Sequence, residues 1–272
     1  MILLEKQFDM KNFIFKFILI IFLVAGAMNV FAVSTKKVSP KKEIIYQVPV
    51  LVYHSFGSAP LKKESWMRMH YRVTAEAFQS QMKYLSDDGY HPISFSTYVN
   101  SLKDNTKLPD KAVVLTFDDG WVSQYNYAVP ILEKYKFTAT FFVITDYVNN
   151  KYKAYMSWDN LKDLVKNNFE IASHTESHPI LTKLDFKKLA NELNGSKKIL
   201  EDKLSVKVMT LAYPDYAQNQ TVRDAAKLAG YVGSRAGWSN IQNSNANIYQ
   251  LKSQEVVNNP NPFSSKRLPD LP

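Results

Sequence analysis

Acidic and imidazole side chains follow two apolar runs in this 272-residue sequence. Asp118 and Asp119 come directly after the run AVVLTF, and His174 and His178 come after the run FEIAS. Two histidines four residues apart can ligate one divalent cation, and a nearby carboxylate completes a three-ligand set with open coordination positions. Asp119, His174 and His178 are therefore a candidate catalytic metal site. An acidic turn and two surface histidines are the alternative interpretation.

Short β-rich runs alternate with amphipathic stretches from residue 48 onward. Strands are predicted for Val48–Tyr53, Ala112–Phe117, Ala139–Ile144, Glu170–Ser173 and Val206–Tyr213. Helices are predicted for Ala75–Ser86, Trp158–Asn167, Phe186–Leu204 and Val222–Ala229, capped by Thr74, Ser157, Asp185 and Thr221. This alternation indicates an α/β domain with a largely parallel sheet, and such folds place their sites at the carboxyl ends of the strands.

The chemistry-bearing residues resemble the signature motifs of a known family. TFDD at residues 116–119 and HTESH at residues 174–178 are similar to the first two motifs of the polysaccharide deacetylases, carbohydrate esterase family four, which carry the NodB homology domain. The resemblance extends over roughly residues 48–257 and implies a single domain folded as a distorted (β/α)7 barrel. It also implies a metal-dependent N-deacetylase.

Site roles follow from the same resemblance. It makes Asp118 the catalytic base and makes Asp119, His174 and His178 the ligands of one divalent metal. Zn²⁺ is the expected ion, with Co²⁺ and Ni²⁺ as alternatives. Asp118 suits the base role because it need not coordinate the metal.

The general acid is expected to be a histidine, because its near-neutral pKa lets it donate a proton to a departing amine. The family's usual histidine near the carboxyl terminus is absent, since no histidine follows His178. Instead the run VPVLVYH ends in His54. This arrangement resembles the permuted subgroup that deacetylates poly-β-1,6-N-acetylglucosamine, and it implies that His54 is the acid. A hydrogen-bonded histidine at a strand end is the alternative.

The third family motif, which supplies an arginine and an oxyanion-binding N–H, is altered in this chain. The corresponding stretch is AYPDYA, so Ala212 stands in the place of the arginine and Asp215 in the place of a tyrosine. Asp215 and Tyr216 are candidate oxyanion or substrate-binding residues. The carboxylate of Asp215 would oppose a developing oxyanion unless its side chain turns away.

Two residues further along are candidates for the same site. Arg235 is a candidate replacement for the missing arginine, and a surface arginine is the alternative. Trp238 is a candidate platform on which a sugar ring stacks. By contrast, Trp121 and Trp158 are expected to be core or loop-packing residues.

The first 32 residues are expected to lie outside the fold. Lys11 and Lys16 precede an apolar run at residues 17–25, and Val30-Phe-Ala32 offers small residues for a signal peptidase. These features predict a secretory signal cleaved near Ala32 and an extracytoplasmic protein, whether secreted, periplasmic or on the cell surface. A retained membrane anchor is the alternative, but the run is short for a spanning helix.

Composition and charge set further bounds. The chain has no cysteine, which excludes disulfides, thiolate ligands and cysteine nucleophiles. Its net charge is +9, and residues 33–47 hold four lysines and one glutamate, as in a basic linker. Electrostatic association with an anionic cell envelope is expected. Nucleic acid is not an expected partner, because no recognition motif accompanies the charge.

Together these features predict residues 48–272 to be a deacetylase domain, with 258–272 as an irregular tail. The expected reaction is removal of acetyl groups from N-acetylglucosamine residues of a β-linked polysaccharide, with biofilm-type poly-β-1,6-N-acetylglucosamine as the expected substrate. The alternatives are peptidoglycan, another amino sugar, or a catalytically weak relative that binds carbohydrate.

Overall fold

Parallel strands and helices alternate in the computed structural model, which describes residues 43–57, 71–237 and 241–257. The strands are β1 (Ile45–Gln47), β2 (Val50–Tyr53), β3 (Ser55–Phe56), β4 (Arg72–Val73), β5 (His91–Ile93), β6 (Ala112–Phe117), β7 (Thr140–Val143), β8 (Glu170–Ser173), β9 (Thr210–Ala212), β10 (Gly233–Arg235), β11 (Gln242–Ser244) and β12 (Gln254–Glu255). The α-helices are α1 (Ala75–Asp87), α2 (Phe95–Asp104), α3 (Val129–Tyr135), α4 (Thr145–Asn149), α5 (Trp158–Lys166), α6 (Phe186–Leu204) and α7 (Gln220–Leu228).

The main sheet is curled and runs in the order β10-β9-β8-β7-β6-β2-β12, with β5 paired to the first half of β6. All of these pairs are parallel. The segment that carries β12 also meets β10, through a parallel bridge between Leu251 and Arg235, so it links the two edges of the sheet. This is the arrangement of a distorted (β/α)7 barrel, and it confirms the predicted fold class.

Alternate residues of the central strands face two hydrophobic clusters. Val50, Val114 and Phe142 belong to one cluster, and their strand neighbours belong to the other. In the larger cluster, the ring of Phe117 stacks on Phe141 with centroids 4.7 Å apart and on Tyr53 with centroids 5.3 Å apart. Each fully buried aromatic side chain contributes about 1.5–3 kcal/mol of hydrophobic stabilisation. This packing anchors the ends of β2, β6 and β7 next to one another.

Most of the predicted elements are confirmed, and two need correction. The helices at 75, 158 and 186 begin after the expected caps. The last helix, α7, begins at Gln220 because the side chain of Asn219, not Thr221, accepts its capping hydrogen bond. Residues 206–209 are not part of a strand. There the N–H of Val208 donates to Glu201, and its carbonyl accepts from Lys197, so helix side chains replace sheet partners.

Several sequence predictions concern segments at the ends of the chain. The predicted signal, residues 33–42, Trp238 and the tail at 258–272 lie outside the described residues. Residues 45–47, which the sequence placed in the linker, form β1 and pair with β11. Within the ranges that the structure describes, no helix combines the length and apolar character needed to cross a bilayer.

Candidate metal centre and active site

Candidate site residues lie at the carboxyl ends of three strands. His54 follows β2, Asp118 and Asp119 follow β6, and His174 follows β8. Because β2 pairs with β6 and only β7 separates β6 from β8, the parallel ends of these strands lie along one edge of the sheet. The sheet therefore brings the first two sequence motifs and His54 together.

Asp119, His174 and His178 converge on one point. The Nε2 atom of His174 lies 3.5 Å from Oδ1 of Asp119, and Nε2 of His178 lies 3.6 Å from the same oxygen. One ligand atom from each of the three residues lies within 4.8 Å of the other two. Two imidazoles and one carboxylate in this arrangement suit a divalent cation that keeps open positions for water and substrate.

Hydrogen bonds from outside this set orient its ligand atoms. Nδ1 of His174 lies 2.9 Å from the carbonyl oxygen of Ala212. Since a carbonyl only accepts, Nδ1 carries the proton and Nε2 presents a lone pair toward Asp119. The indole Nε1 of Trp121 donates to Oδ2 of Asp119 at 2.8 Å, which leaves Oδ1 for the histidines. The donor set therefore fits a bound zinc-like cation.

The charge states of the ligands agree with this fit. In the metal-free protein, burial alone would raise the pKa of Asp119, but a hydrogen bond from His174 and the charges of the three nearby histidines, when these imidazoles carry both protons, hold that pKa well below its usual range. Burial lowers the pKa of His178, and the neighbouring His174 lowers it further. An ionised carboxylate and a neutral imidazole are the forms that coordinate a metal.

The loop from 174 to 178 has a strained backbone that its own side chains hold in place. Thr175 and His178 adopt left-handed conformations, with φ of 69° and 62°. The N–H of Thr175 donates to Oγ of Ser173 at 3.1 Å, and the N–H of His178 donates to Oγ1 of Thr175 at 3.0 Å. In this tight turn the two N–H groups thus donate to side-chain hydroxyls in place of backbone carbonyls.

Helix α6 holds the same loop from outside through one carboxylate. Oε2 of Glu192 accepts hydrogen bonds from the N–H groups of Glu176 and Ser177, both at 2.9 Å. Its other oxygen accepts from the Ser177 hydroxyl. Glu192 thus fixes the two residues immediately before His178, although no sequence motif contains it.

Asp118 is buried and pairs with Arg235, the candidate replacement for the missing arginine of the third motif. Its Oδ2 accepts a hydrogen bond from Nη2 of Arg235, which is completely buried. In the β9–β10 register, Arg235 lies directly beside Ala212, the position where the third motif lacks its arginine. The adjacent strand therefore supplies the missing guanidinium. The alternative of a surface arginine is wrong.

Further contacts fix the guanidinium of Arg235. Its central carbon lies 5.2 Å from the centre of the Phe142 ring and 5.6 Å from that of Tyr216. Nη1 donates to Oγ of Ser253 at 3.3 Å. Packed aromatic rings and directed hydrogen bonds leave this side chain little rotational freedom.

His54 lies between two carboxylates. Its Nδ1 is 3.4 Å from Oε2 of Glu255 on β12, and its Nε2 is 3.9 Å from Oδ2 of Asp118. Burial would lower the pKa of His54, but the hydrogen bond and charge of Glu255 outweigh it and raise the pKa to about 9. In the metal-free protein, the imidazole is thus protonated at neutral pH. The sequence offered no signal for Glu255, because no motif contains it and it meets His54 only through the sheet.

A cavity of about 290 Å³ opens onto these residues. Its lining includes the side chains of His54, Asp118 and the three candidate ligands, together with Tyr71, Trp121, Tyr213, Asp215, Tyr216 and Glu255. Trp121 packs on a loop as predicted, with its ring stacked on Tyr155 at 4.5 Å between centroids, and its indole also lines the cavity and donates to Asp119. Trp158 packs against the core as predicted.

Asp215 and Tyr216 both line the cavity and have left-handed backbones, with φ of 51° and 57°. The N–H of Tyr216 donates to the carbonyl of Tyr213 at 3.0 Å, so this amide is committed to the local turn. Gly237 allows the Tyr216 ring to approach closely, since a Cβ at 237 would lie 2.7 Å from it. Asp215 is exposed at this turn.

Family models and sequence relatives show which known proteins this chain is similar to. The family model described as polysaccharide deacetylase matches residues 105–234, and a model described as a polyglycine hydrolase-like structural repeat matches residues 67–105. The putative polysaccharide deacetylase YxkH of Bacillus subtilis is 29% identical over 70% of this chain. A poly-β-1,6-N-acetyl-D-glucosamine N-deacetylase of Staphylococcus aureus is 33% identical over 59% of it. The matched regions span 64% and 59% of those two relatives.

A solved structure agrees in fold over most of the chain. The Streptococcus pyogenes deacetylase PplD, in complex with acetate, superposes with a TM-score of 0.75 and 26% identity, covering 84% of this chain and all of that one. The family match contains the first two motifs, and the structural match includes the curled sheet that positions them. Residues 105–234 therefore match the polysaccharide deacetylases, the NodB type of carbohydrate esterase family four, and they lie in a fold that a solved deacetylase shares.

Proposed function

We propose that this protein is a metal-dependent deacetylase that hydrolyses the acetamide of N-acetylglucosamine residues in a β-linked polysaccharide. The observation that carries the proposal is the position of two proton-transfer groups beside the metal-ligand set. Oδ2 of Asp118 lies 3.9 Å from Nε2 of His174 and 3.9 Å from Nε2 of His54. A candidate base and a candidate acid thus border the site where the acetyl group would bind.

Asp118 is proposed as the base. Its Oδ2 is held by Arg235 and lies 3.9 Å from Nε2 of His174, so the carboxylate borders the position that an attacking water would take. The guanidinium of Arg235 orients the carboxylate. A divalent cation held by Asp119, His174 and His178 would polarise the acetyl carbonyl and lower the pKa of the water.

His54 is proposed as the acid. As the water oxygen bonds to the acetyl carbon and the C–N bond breaks, the imidazolium donates its proton to the departing nitrogen, which leaves acetate and a free amine. Glu255 keeps His54 protonated until that step. The backbone N–H of Asp215 is proposed to stabilise the developing oxyanion. Tyr216, and Trp238 outside the described residues, are proposed to contact the sugar.

Poly-β-1,6-N-acetylglucosamine is the proposed substrate. Two observations support it: the relative in Staphylococcus aureus is named for that polymer, and the acid precedes the base in the chain, as in the permuted subgroup. The runs at residues 17–32 support an extracytoplasmic location, and the basic segment that follows supports association with an anionic envelope. Zn²⁺ is the proposed ion because the ligands are imidazole and carboxylate.

The test is acetate release by metal-loaded protein from β-1,6-linked N-acetylglucosamine oligomers and from peptidoglycan, measured in parallel. We expect release from the first. The Asp118→Asn variant should bind metal as the wild type does, yet lose about 10²–10⁴-fold in turnover. Release only from peptidoglycan would make peptidoglycan the substrate in place of poly-β-1,6-N-acetylglucosamine. Release from neither polymer would favour a carbohydrate-binding role.

A further inference from the structure

Gln124 joins the backbones of the two proton-transfer residues. Its side-chain Nε2 lies 2.9 Å from the carbonyl oxygen of His54 and 2.5 Å from that of Asp118. Both partners are acceptors, so the amide must present its NH₂ group to them, with one hydrogen for each. The side chain is completely buried.

The position of this amide matters because the β-ladder ends there. Strands β2 and β6 pair as far as Tyr53 and Phe117, and the N–H of Asp118 makes the last bond, to the carbonyl of Tyr53 at 2.9 Å. Beyond that bond, the two carbonyls at His54 and Asp118 cannot bond to each other. A double donor can bridge them, and a primary amide is a small neutral group with two N–H bonds.

The local backbone supports the bridge. Gln124 begins a π-helical turn, Gln124–Ala128, which ends just before Pro130, a residue that cannot donate to an α-helical ladder. The preceding Ser123 accepts a hydrogen bond from the N–H of Phe56 at 3.0 Å, so the same turn also holds the chain after His54. Oε1 of Gln124 is buried without a partner among the described residues. An unsatisfied buried acceptor reduces stability, so stability alone does not account for this side chain.

We propose that Gln124 is a positioning residue that sets the distance between the imidazole of His54 and the carboxylate of Asp118. The inference rests on the proposed function, in which those groups are the acid and the base. Proton transfer is sensitive to displacements of about 1 Å, so releasing the two strand ends from each other should slow the chemical step. Neither bond of Gln124 involves a metal ligand, and metal binding should be unaffected.

The matched control is Gln81, a second buried glutamine that also bonds to β2. Its Oε1 accepts from the side-chain hydroxyl of Tyr53 at 2.8 Å, and Gln81 makes no hydrogen bond to the carbonyl of His54 or of Asp118. We expect Gln124→Met to lower kcat about tenfold or more, with KM and metal affinity within threefold of the wild type. Gln81→Met should lose comparable thermal stability yet keep kcat within threefold. Gln124→Glu, which keeps the side-chain shape but loses both donors when ionised, replaces the Met variant if that variant does not fold.

A second readout separates this proposal from the proposed function. The ring Cε1–H NMR signal of His54 in the metal-loaded protein, assigned through His54→Ala, should shift at fixed pH in Gln124→Met and stay in place in Gln81→Met. If the wild type released no acetate, the proposed function would fail, and this signal would still test the position of His54. An unshifted His54 signal, or equal kcat losses in the two glutamine variants, would overturn the role of Gln124.

Discussion

The guanidinium of Arg235 pairs with the carboxylate of Asp118, a residue 117 positions earlier in the chain. Arg235 is completely buried on β10, next to Ala212 on β9. The family's third motif normally places an arginine at the position of Ala212. In this chain the arginine lies on the neighbouring strand, β10, and from there it still pairs with the proposed base.

Removing this partner should affect both stability and turnover. Arg235→Met leaves a buried carboxylate unpaired, so we expect the free energy of unfolding to fall by about 3–5 kcal/mol. The double variant Arg235→Met with Asp118→Asn should regain most of that loss in chemical denaturation but release no acetate. Wild-type stability in the single variant would show that Asp118 does not depend on Arg235.

Glu255 should set the alkaline limit of activity. Burial lowers the pKa of His54, but the hydrogen bond and charge of Glu255 raise it to about 9, so the acid stays protonated through neutral pH. A bound cation repels the imidazolium and moves this limit downward. In the holoenzyme, Glu255→Gln should therefore shift the alkaline limb of kcat against pH to lower pH. An unchanged limb would mean that another group is the acid.

The same shift predicts how the stability of the metal-free protein depends on pH. The pKa of His54 is raised above its ordinary value of 6.5, so the folded state binds this proton more tightly than the unfolded chain does. The contribution is complete below about pH 6.5 and is lost as pH rises through about 9. Urea denaturation across that window should show the loss in the wild type and a smaller one in His54→Ala.

Glu192 should control metal affinity without touching the metal. Its carboxylate bonds to two backbone N–H groups of the loop that carries His178, so we expect Glu192→Ala to weaken binding about 10–100-fold by calorimetry. Glu192→Gln retains an acceptor oxygen and should recover much of the affinity. Asp202, an exposed acid on the same helix that bonds to Lys198, provides the control. Equal affinities in Glu192→Ala and Asp202→Ala would rule out this role.

Gly233 should be intolerant of a side chain because β10 passes close to its neighbours. A Cβ there would lie 2.6 Å from the Val99 side chain and 2.9 Å from the carbonyl oxygen of Ile248. We expect Gly233→Ala to cost about 1–3 kcal/mol in denaturation and to displace Arg235. Gly57→Ala meets only the Arg72 side chain, at 3.4 Å, and should cost much less. Similar losses in both would contradict this account.

The site residues that directly follow a strand could be predicted from the sequence. The residues that reach the site only through tertiary contacts could not. Asp118, His174 and His54 each come directly after an apolar run, so a local pattern indicates a strand end. Glu255 and Gln124 reach the site only because β12 pairs with β2 and because a π-turn folds back. No local sequence pattern indicates either the pairing of β12 with β2 or the π-helical turn.

The fold shows the same division. Helix starts at Ser157 and Asp185 were predictable because a cap is a local interaction. Residues 206–209 have strand-like composition, yet side chains of α6 take the hydrogen bonds of Val208. Tertiary contacts decided that segment, and one sequence does not reveal them. Trp238 as a sugar platform stays a prediction.

The order of the strands along the chain also sets the order in which the site can assemble during synthesis. All three candidate metal ligands precede residue 179, whereas Arg235 and Glu255, the charge partners of the proposed base and the proposed acid, lie on β10 and β12. Domains acquire structure as the chain emerges from its amino-terminal end. A growing chain therefore gains its candidate metal ligands well before it gains the residues that we propose to tune proton transfer.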